Sequence, residues 1–309
     1  YQGDAEKWLK LAYGLKARYT MHLLKRSANK DADMEKVLEY VNNSFESAEE
    51  QAAFDVYDAN NINPLYGFFV ARAGLGASES MRSKLAEYND PRLSRAFITK
   101  QGTSGKEQAP GTADNAVYAP NGTPEQGTSK YGTSLFMYSI SAPTLLLSYH
   151  ELKFLEAEAL CRLERDAKSA LKDAVVAGLL NAENSFTISR KELGKTLINA
   201  ASSITEAEAE SYFDNTIEAK YTAEPLKTTM TQKYFALWGA SGEATESYND
   251  VRRMKGLGEN FIELKNPNSF PLRCPYGNSD TTTNAEVKAA YGNGQYVYSE
   301  NVWWAGGSR

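Results

Sequence analysis

Aromatic rings and side-chain amides are interleaved in one short stretch of the chain, FDVYDANNINPLYGFF, from Phe54 to Phe69. A ring offers a flat apolar face to the C–H side of a sugar, and an asparagine amide satisfies hydroxyl groups that lose water on binding. The whole chain has 19 tyrosines and 12 phenylalanines, an excess that suits such a surface. The stretch therefore favours glycan binding, although the rings of Tyr66, Phe68 and Phe69 could instead anchor the segment to a scaffold.

Other kinds of site find little support in the sequence. The chain has two histidines, His22 and His150, and HELKF lacks the second histidine of a zinc-protease motif. Cys161 and Cys274 form neither a CxxC pair nor part of a Cys/His cluster, so they predict neither a zinc site nor a disulfide framework. The glycine motif of a dinucleotide-binding fold and the GxSxG elbow of a serine hydrolase are also missing. The sequence thus predicts no catalytic residue, no cofactor and no metal.

Glycoside hydrolysis is harder to exclude, because it needs only two carboxylates that face one sugar. The chain has 39 aspartates and glutamates, which leaves room for such a pair. The most visible ones lie in helical patterns, where solvated charge is expected; they are Glu156, Glu158, Glu206, Glu208 and Glu210. A glycosidase is therefore a less favoured alternative.

The charge balance argues against a nucleic acid partner. The formal net charge is −5 and the pI is near 5.4, and no basic stripe offsets the repulsion of a polyanion. No apolar run reaches the ~18 residues that a membrane-spanning helix requires. The chain also lacks an initiator methionine and a signal peptide, so we expect that a longer protein continues upstream of Tyr1.

The first part of the chain predicts a helical hairpin. Apolar residues over 4–26 recur at spacings of three and four, which is typical of an amphipathic helix. The face expected to be buried carries Trp8, Ala12, Leu15, Tyr19 and Leu23. A second helix is expected over about 31–42, with Asp31 placed to cap it.

Further helices follow the hairpin. A short helix is expected over about 78–88, and the segment 148–182 is expected to form two antiparallel helices joined near Arg165. Thr205 and Glu208 have the spacing of a capping box at the start of another helix. The partner of that helix is expected to begin at Pro225 and to end at Gly239.

Long irregular segments separate these helices. Asparagine, proline and glycine predict loops over about 54–76, 100–134 and 258–309. We therefore predict an all-α, mainly helical protein, in which tetratricopeptide-like helix pairs support long irregular loops. The whole chain, 1–309, is expected to be a single domain.

Several segments, taken together, resemble motifs of the SusD-like (RagB/SusD) family of outer-membrane nutrient-binding lipoproteins. The segments are GDAEKWLKLAYGLKARYTMHL, NDPRL, SYHELKFLEAEAL, TQKYFALWGASGEATESYNDVRR and FPLRCPYGNSDTTTN. Their order and approximate spacing agree with that family over essentially all 309 residues. Tyr248 and Val251 depart from the aromatics usual in the fourth motif, and Cys274 lies inside the last, which leaves the subfamily open.

The resemblance implies a non-enzymatic protein at the cell surface, held to the outer membrane by a lipid anchor that is missing from this chain. Such a protein would capture an oligosaccharide or polysaccharide and pass it to a TonB-dependent, SusC-like outer-membrane porin. Arg252 and Arg253 would belong to the scaffold and pair with carboxylates or cap a helix. The layout of the family places ligand-binding side chains before SYHELKFLEAEAL, and the candidates are Tyr57, Asn61, Asn63, Tyr66, Phe68, Tyr118 and Tyr131.

One alternative of a different class stays open. A helical-repeat scaffold could bind only protein, through a groove lined by helices, without recognising sugar.

Overall fold

The computed structural model describes residues 1–72, 75–98, 117–122, 131–193, 202–239, 242–266, 269–302 and 306–307. These residues are mainly helical, which confirms the predicted fold class. The first helices are α1 (Ala5–His22), α2 (Lys30–Asn42), α3 (Pro64–Arg72), α4 (Glu79–Glu87), α5 (Arg92–Ala96), α6 (Tyr149–Arg162) and α7 (Lys168–Leu193). The others are α8 (Glu206–Tyr212), α9 (Glu218–Ala223), α10 (Pro225–Ala236), α11 (Ala244–Leu257), α12 (Asn278–Thr283) and α13 (Ala285–Tyr291).

Strands are short and antiparallel in the described part of the chain. β1 (Ala52–Phe54) pairs with β4 (Thr144–Leu147), and β2 (Phe97–Ile98) pairs with β3 (Thr133–Ser134).

Contacts divide the chain into two compact units, Tyr1–Leu264 and Lys265–Arg309. The prediction of a single domain over 1–309 stays a prediction. Across the described ranges, no helix has the length and apolar character needed to cross a membrane.

The first helix pair forms as predicted, but the predicted buried face of α1 is wrong. Trp8, Tyr19 and Leu23 are 56%, 55% and 64% exposed. The reason is steric, because the opposite face carries a glycine that lets α1 approach its neighbours closely. A Cβ added at Gly14 would lie 2.3 Å from Leu147 Cδ2. The buried residues of α1 are Leu11, Gly14, Ala17, Arg18 and Met21.

The cap of α2 also differs from the prediction. Asn29, two residues before Asp31, has the extended backbone of an N-cap, and its side chain accepts a hydrogen bond from the backbone N–H of Ala32 at 3.1 Å. Asp31 lies in the first turn instead, where a negative charge interacts favourably with the helix dipole.

The helix pair at 148–182 is confirmed, with α6 and α7 joined by five residues that include Arg165. α7 continues to Leu193, beyond the predicted end. A short connection makes consecutive helices antiparallel neighbours. Gly178 permits the close approach of α10, because a Cβ there would lie 2.9 Å from the Cβ of Ala236. The core between these helices includes Phe154, Leu171, Leu179 and Phe213.

The capping box at Thr205 and Glu208 is confirmed. The Thr205 side chain accepts from the Glu208 backbone N–H at 3.2 Å, and Glu208 Oε2 accepts from the Thr205 backbone N–H at 2.8 Å. Pro225 starts α10, as predicted, because its missing N–H costs nothing at the first helical position.

Two of the predicted loops contain helices. The loop expected over 54–76 includes α3, because Pro64 can occupy a first helical position and Asn63 caps the helix. The loop expected over 258–309 includes α12 and α13, and the side chain of Asn284 caps the second of these. The prediction over 100–134 lies largely outside the described residues, apart from 117–122 and 131–134.

Candidate functional site

The first ring of the predicted binding stretch, Phe54, is the last residue of strand β1. Phe54 is 46% exposed and lies edge-on to Tyr57, with ring centroids 4.8 Å apart. The hydroxyl of Tyr57 is 2.7 Å from Thr144 Oγ1 on strand β4. Phe54 of β1 therefore contacts the ring of Tyr57, and Thr144 of β4 contacts its hydroxyl, so the two strands together position this side chain.

A polar turn follows these rings. Asp58 Oδ1 accepts hydrogen bonds from the backbone N–H groups of Asn60 at 2.8 Å and Asn61 at 2.7 Å. These two backbone hydrogen bonds lower the pKa of Asp58, because they stabilise the charged form. The Asn61 side chain is exposed, with its Nδ2 3.4 Å from Asp58 Oδ1. The turn thus presents a carboxylate and an amide to solvent, beside the Phe54 and Tyr57 rings.

Asn63 holds the segment to the rest of the fold. Only 2% of it is exposed, and its Nδ2 donates to the carbonyl of Ala142 at 2.8 Å. Its Oδ1 accepts from the backbone N–H groups of Leu65 at 2.8 Å and Tyr66 at 3.4 Å, which caps α3. In this structure the Asn63 side chain has its partners within the protein.

Replacing Asn63 with alanine is expected to lower the free energy of unfolding by about 2 kcal/mol, because the change removes a helix cap and a buried hydrogen bond. Chemical denaturation would measure the loss. Asn61→Ala, in the exposed turn, is the matched control and is expected to change stability by less than ~0.5 kcal/mol. Equal stability of the two variants would contradict the capping role of Asn63.

Helix α3 presents more rings to solvent. Phe68 is 52% exposed and Tyr66 is half-buried, whereas Phe69 is buried against Tyr138 with ring centroids 5.0 Å apart. Phe69 therefore anchors the helix, whereas Tyr66 and Phe68 keep part of their rings in solvent. We define the ring surface as five exposed or half-buried side chains of this stretch: Phe54, Tyr57, Asn61, Tyr66 and Phe68.

Tyr118 and Tyr131 do not join the ring surface. They are 8% and 6% exposed. Tyr118 packs edge-on against Phe97 at 5.2 Å between ring centroids, and the guanidinium of Arg82 lies 5.5 Å from its ring centroid. Of the seven predicted residues, the structure therefore places Tyr57, Asn61, Tyr66 and Phe68 at the surface, and it buries Asn63, Tyr118 and Tyr131. Phe54 was not among the predicted residues, although its ring opens the same aromatic stretch.

A second candidate site is a cavity of about 510 Å³ between the segment after α2 and helices α6, α7 and α8. Its volume is that of a small-molecule pocket. Its apolar lining includes Val176 and Leu180, and the ring of Tyr149 lies at one side. Its polar lining includes the amides of Gln51, Asn181 and Asn184 and the carboxylates of Glu49, Glu206 and Glu210. The three-residue spacing of Asn181 and Asn184 places them on one face of α7, a signal present in the sequence.

A buried carboxylate pair lies elsewhere in the first unit. Arg18 donates to Glu151, and its Nη2 is 3.5 Å from Glu243 Oε1. Burial, together with the neighbouring Glu151, raises the pKa of Glu243 well above its usual range. Two neighbouring carboxylates are what a glycosidase uses. These two, however, are fully buried, so a sugar has no access to them.

One arginine of the pair in the fourth motif, Arg253, belongs to the scaffold and pairs with carboxylates, as expected. Arg253 is 6% exposed, and its Nη2 donates to Glu158 at 2.8 Å and to Asp250 at 2.7 Å. The guanidinium of Arg252 lies 5.6 Å from the ring centroid of Tyr248.

In the described part of the chain, no group of three or more histidine, cysteine, aspartate or glutamate side chains is placed to hold a metal ion.

Comparison with known proteins decides the family. A model of SusD-like proteins, described as starch-binding and associating with outer membrane, matches residues 1–276. The chain belongs to the SusD-like family. Its similarity to a solved SusD/RagB family protein from Bacteroides thetaiotaomicron is 66% identity with a TM-score of 0.91, over 100% of this chain. The match covers 66% of that relative, so this chain spans about two thirds of the relative's length.

More distant SusD-like structures share the fold. A SusD homologue from Bacteroides fragilis is 20% identical, with a TM-score of 0.66 over 93% of this chain and 65% of the homologue. A chitin-binding protein is also 20% identical, with a TM-score of 0.66 over 98% of this chain and 66% of that protein. No curated protein sequence matches the chain.

Proposed function

We propose that this protein is a cell-surface carbohydrate-binding protein that captures an oligosaccharide or polysaccharide without cleaving it. Its membership of the SusD-like family, whose description is starch-binding and associating with outer membrane, is the observation that carries the proposal. SusD/RagB family proteins are binding proteins and not enzymes, which fits the burial of the Glu151 and Glu243 pair.

The ring surface supplies the chemistry of binding. The exposed faces of Phe54 and Phe68, with the half-buried rings of Tyr57 and Tyr66, can stack on the C–H faces of successive sugar units. Asn61 and the neighbouring Asp58 can replace the water lost by sugar hydroxyls. Because the Tyr57 hydroxyl contacts Thr144 and Asn63 caps α3, these groups are positioned before a ligand arrives, which lowers the entropic cost of binding.

Phe68→Ala is expected to weaken glycan binding about three- to tenfold, since a lost ring contact removes roughly 1 kcal/mol, and to leave thermal stability unchanged. Tyr66→Ala is expected to act in the same direction. Titration calorimetry against starch-derived and chitin-derived oligosaccharides would measure the affinity. Val70→Ala, on the same helix and 59% exposed, is the matched control. A Phe68→Ala variant with wild-type affinity for every bound glycan would remove the ring surface from the proposal.

The proposed setting is the outer membrane, where a lipid anchor outside this chain would tether the protein. A TonB-dependent, SusC-like porin would receive the captured glycan. Affinity capture of the full-length protein from outer membranes is expected to recover such a porin. Recovery of the porin without binding of any glycan would instead favour the alternative of a protein-binding helical scaffold.

A further inference from the structure

The cavity between the α2–β1 segment and helices α6, α7 and α8 has a composition unlike that of the ring surface. Its floor is apolar, with Val176 and Leu180, and neutral amides of α7 lie beside this floor. Carboxylates approach from two sides: Glu49 from the segment after α2, and Glu206 and Glu210 from α8. Glu206 and Glu210 are four residues apart, so they lie on the same face of α8.

The lysines around the cavity are already paired. Lys172 Nζ lies 2.8 Å and 2.9 Å from the two carboxylate oxygens of Asp214. Lys10 Nζ lies 3.1 Å from Glu46 and 2.7 Å from Glu50. Lys153, on α6, lies 2.6 Å from Glu156 on the same helix. Glu46 lines the cavity, so Lys10 neutralises part of its wall, whereas Asp214, the partner of Lys172, is outside the lining.

The remaining carboxylates are only partly compensated, because Lys172 interacts electrostatically with Glu210. Among the residues that the structure describes, no ion pair engages Glu49, Glu206 or Glu210. His150, which also lines the cavity, adds no positive charge. Burial, and to a lesser extent Arg92, lowers the pKa of His150 to about 3, so the ring is neutral at neutral pH. A ligand in this cavity thus meets an apolar floor, amide groups and an excess of negative charge.

We propose that this cavity binds a sugar unit that carries a free amino group. The ammonium group would lie against Glu206 and Glu210, the hydroxyls would bond to Asn181 and Asn184, and the C–H face would rest on Val176. A volume of about 510 Å³ lies within the range of pockets that bind small ligands. The inference rests on the proposed carbohydrate-binding function, and it names a substrate class for a second site, separate from the ring surface.

The test compares two oligosaccharides that differ at the amino group, which is free and charged in a tetramer of glucosamine and acetylated and neutral in a tetramer of N-acetylglucosamine. The wild-type protein is expected to bind the charged tetramer about tenfold more tightly at low salt, and ~0.5 M salt is expected to abolish most of that preference. The double variant Glu206→Gln/Glu210→Gln is expected to lose the preference without losing stability. The double variant Glu6→Gln/Glu39→Gln removes the same charge at exposed positions outside the cavity and is expected to retain the preference.

The outcomes separate this inference from the proposed function. Equal affinity of the wild type for the two tetramers, or an undiminished preference in the Glu206→Gln/Glu210→Gln variant, would overturn the cavity assignment. Binding of neutral glycans that Phe68→Ala weakens would still support the ring surface in that case. Conversely, a charge preference that depends on Glu206 and Glu210, in a protein that binds no neutral glycan, would support the cavity and contradict the ring surface.

Discussion

Glu158→Gln is expected to lower the free energy of unfolding by about 3–5 kcal/mol, the cost of breaking a buried ion pair by removing one partner. Glu158 is completely buried on α6, and it accepts hydrogen bonds from Arg253 and, at 2.8 Å, from Arg162 Nε. A glutamine amide would turn an N–H donor or a neutral oxygen towards two guanidinium groups that need an acceptor. The arginines would then be buried with too little negative charge.

Urea denaturation at neutral pH would measure this effect. Glu156→Gln is the matched control on the same helix, because Glu156 pairs with Lys153 in a partly exposed position, and its loss is expected to cost less than ~1 kcal/mol. A loss at Glu158 no larger than that at Glu156 would show that the buried network contributes little to stability.

The same variant has a predicted pH dependence. Burial alone would raise the pKa of Glu158, but Arg253 and Arg162 outweigh it and hold the pKa well below its usual range. A carboxylate with a lower pKa in the folded state contributes stability that is complete above its unfolded pKa of about 4.3 and declines as the pH falls through and below that value. The difference in stability between the wild type and Glu158→Gln is therefore expected to narrow below about pH 4.

Gly242→Ala is the second substitution with a large expected effect, a loss of about 2–5 kcal/mol. The φ of Gly242 is +94°, a backbone conformation that costs other residues roughly 1–2 kcal/mol. A Cβ at this position would also lie 2.2 Å from the carbonyl oxygen of Leu145 and 2.9 Å from Thr144 Cγ2. Overpacking of this kind costs typically 1–3 kcal/mol, and a backbone carbonyl within a strand has little freedom to move away.

Gly258 allows the conformational cost of such a substitution to be measured without the steric cost. Its φ of +83° resembles that of Gly242, but a Cβ there would meet nothing within 4 Å. Gly258→Ala is therefore expected to cost only the conformational part, roughly 1–2 kcal/mol. Denaturation of the two variants side by side would test the assignment. Equal losses would mean that the contact with strand β4 is relieved by a small backbone shift.

The starts of helices α8 and α10 were predictable from local signals in the sequence. Pro225 at the first turn of α10 and the capping box at Thr205 and Glu208 act within a few residues, so their effect can be seen in the sequence. The loop prediction over 54–76 was wrong for α3, because glycine and asparagine were interpreted as helix breakers. In the structure Asn63 caps this helix. Gly67 lies beside Ile62, because a Cβ added at Gly67 would lie 3.3 Å from Ile62 Cδ1.

The tertiary structure was needed to tell which face of α1 is exposed. Periodicity alone does not choose between two apolar faces, and the choice here depends on which one lets another element approach. Gly14 contacts Leu147, a residue 133 positions later, so Trp8 and Tyr19 remain exposed. The same holds for Arg18, which is buried because Glu151 is available to pair with it.

The helical fold class, the starts of several helices and the resemblance that the family match confirmed could be predicted from the sequence alone, because these depend on short-range periodicity, caps and ordered motifs. Only the tertiary structure decided which rings face solvent, with Phe68 outside and Tyr118 inside. It alone brought Glu49 to the same cavity as Glu206 and Glu210. Burial and charge at such places are sums over residues distant in the chain, and a local pattern does not contain them.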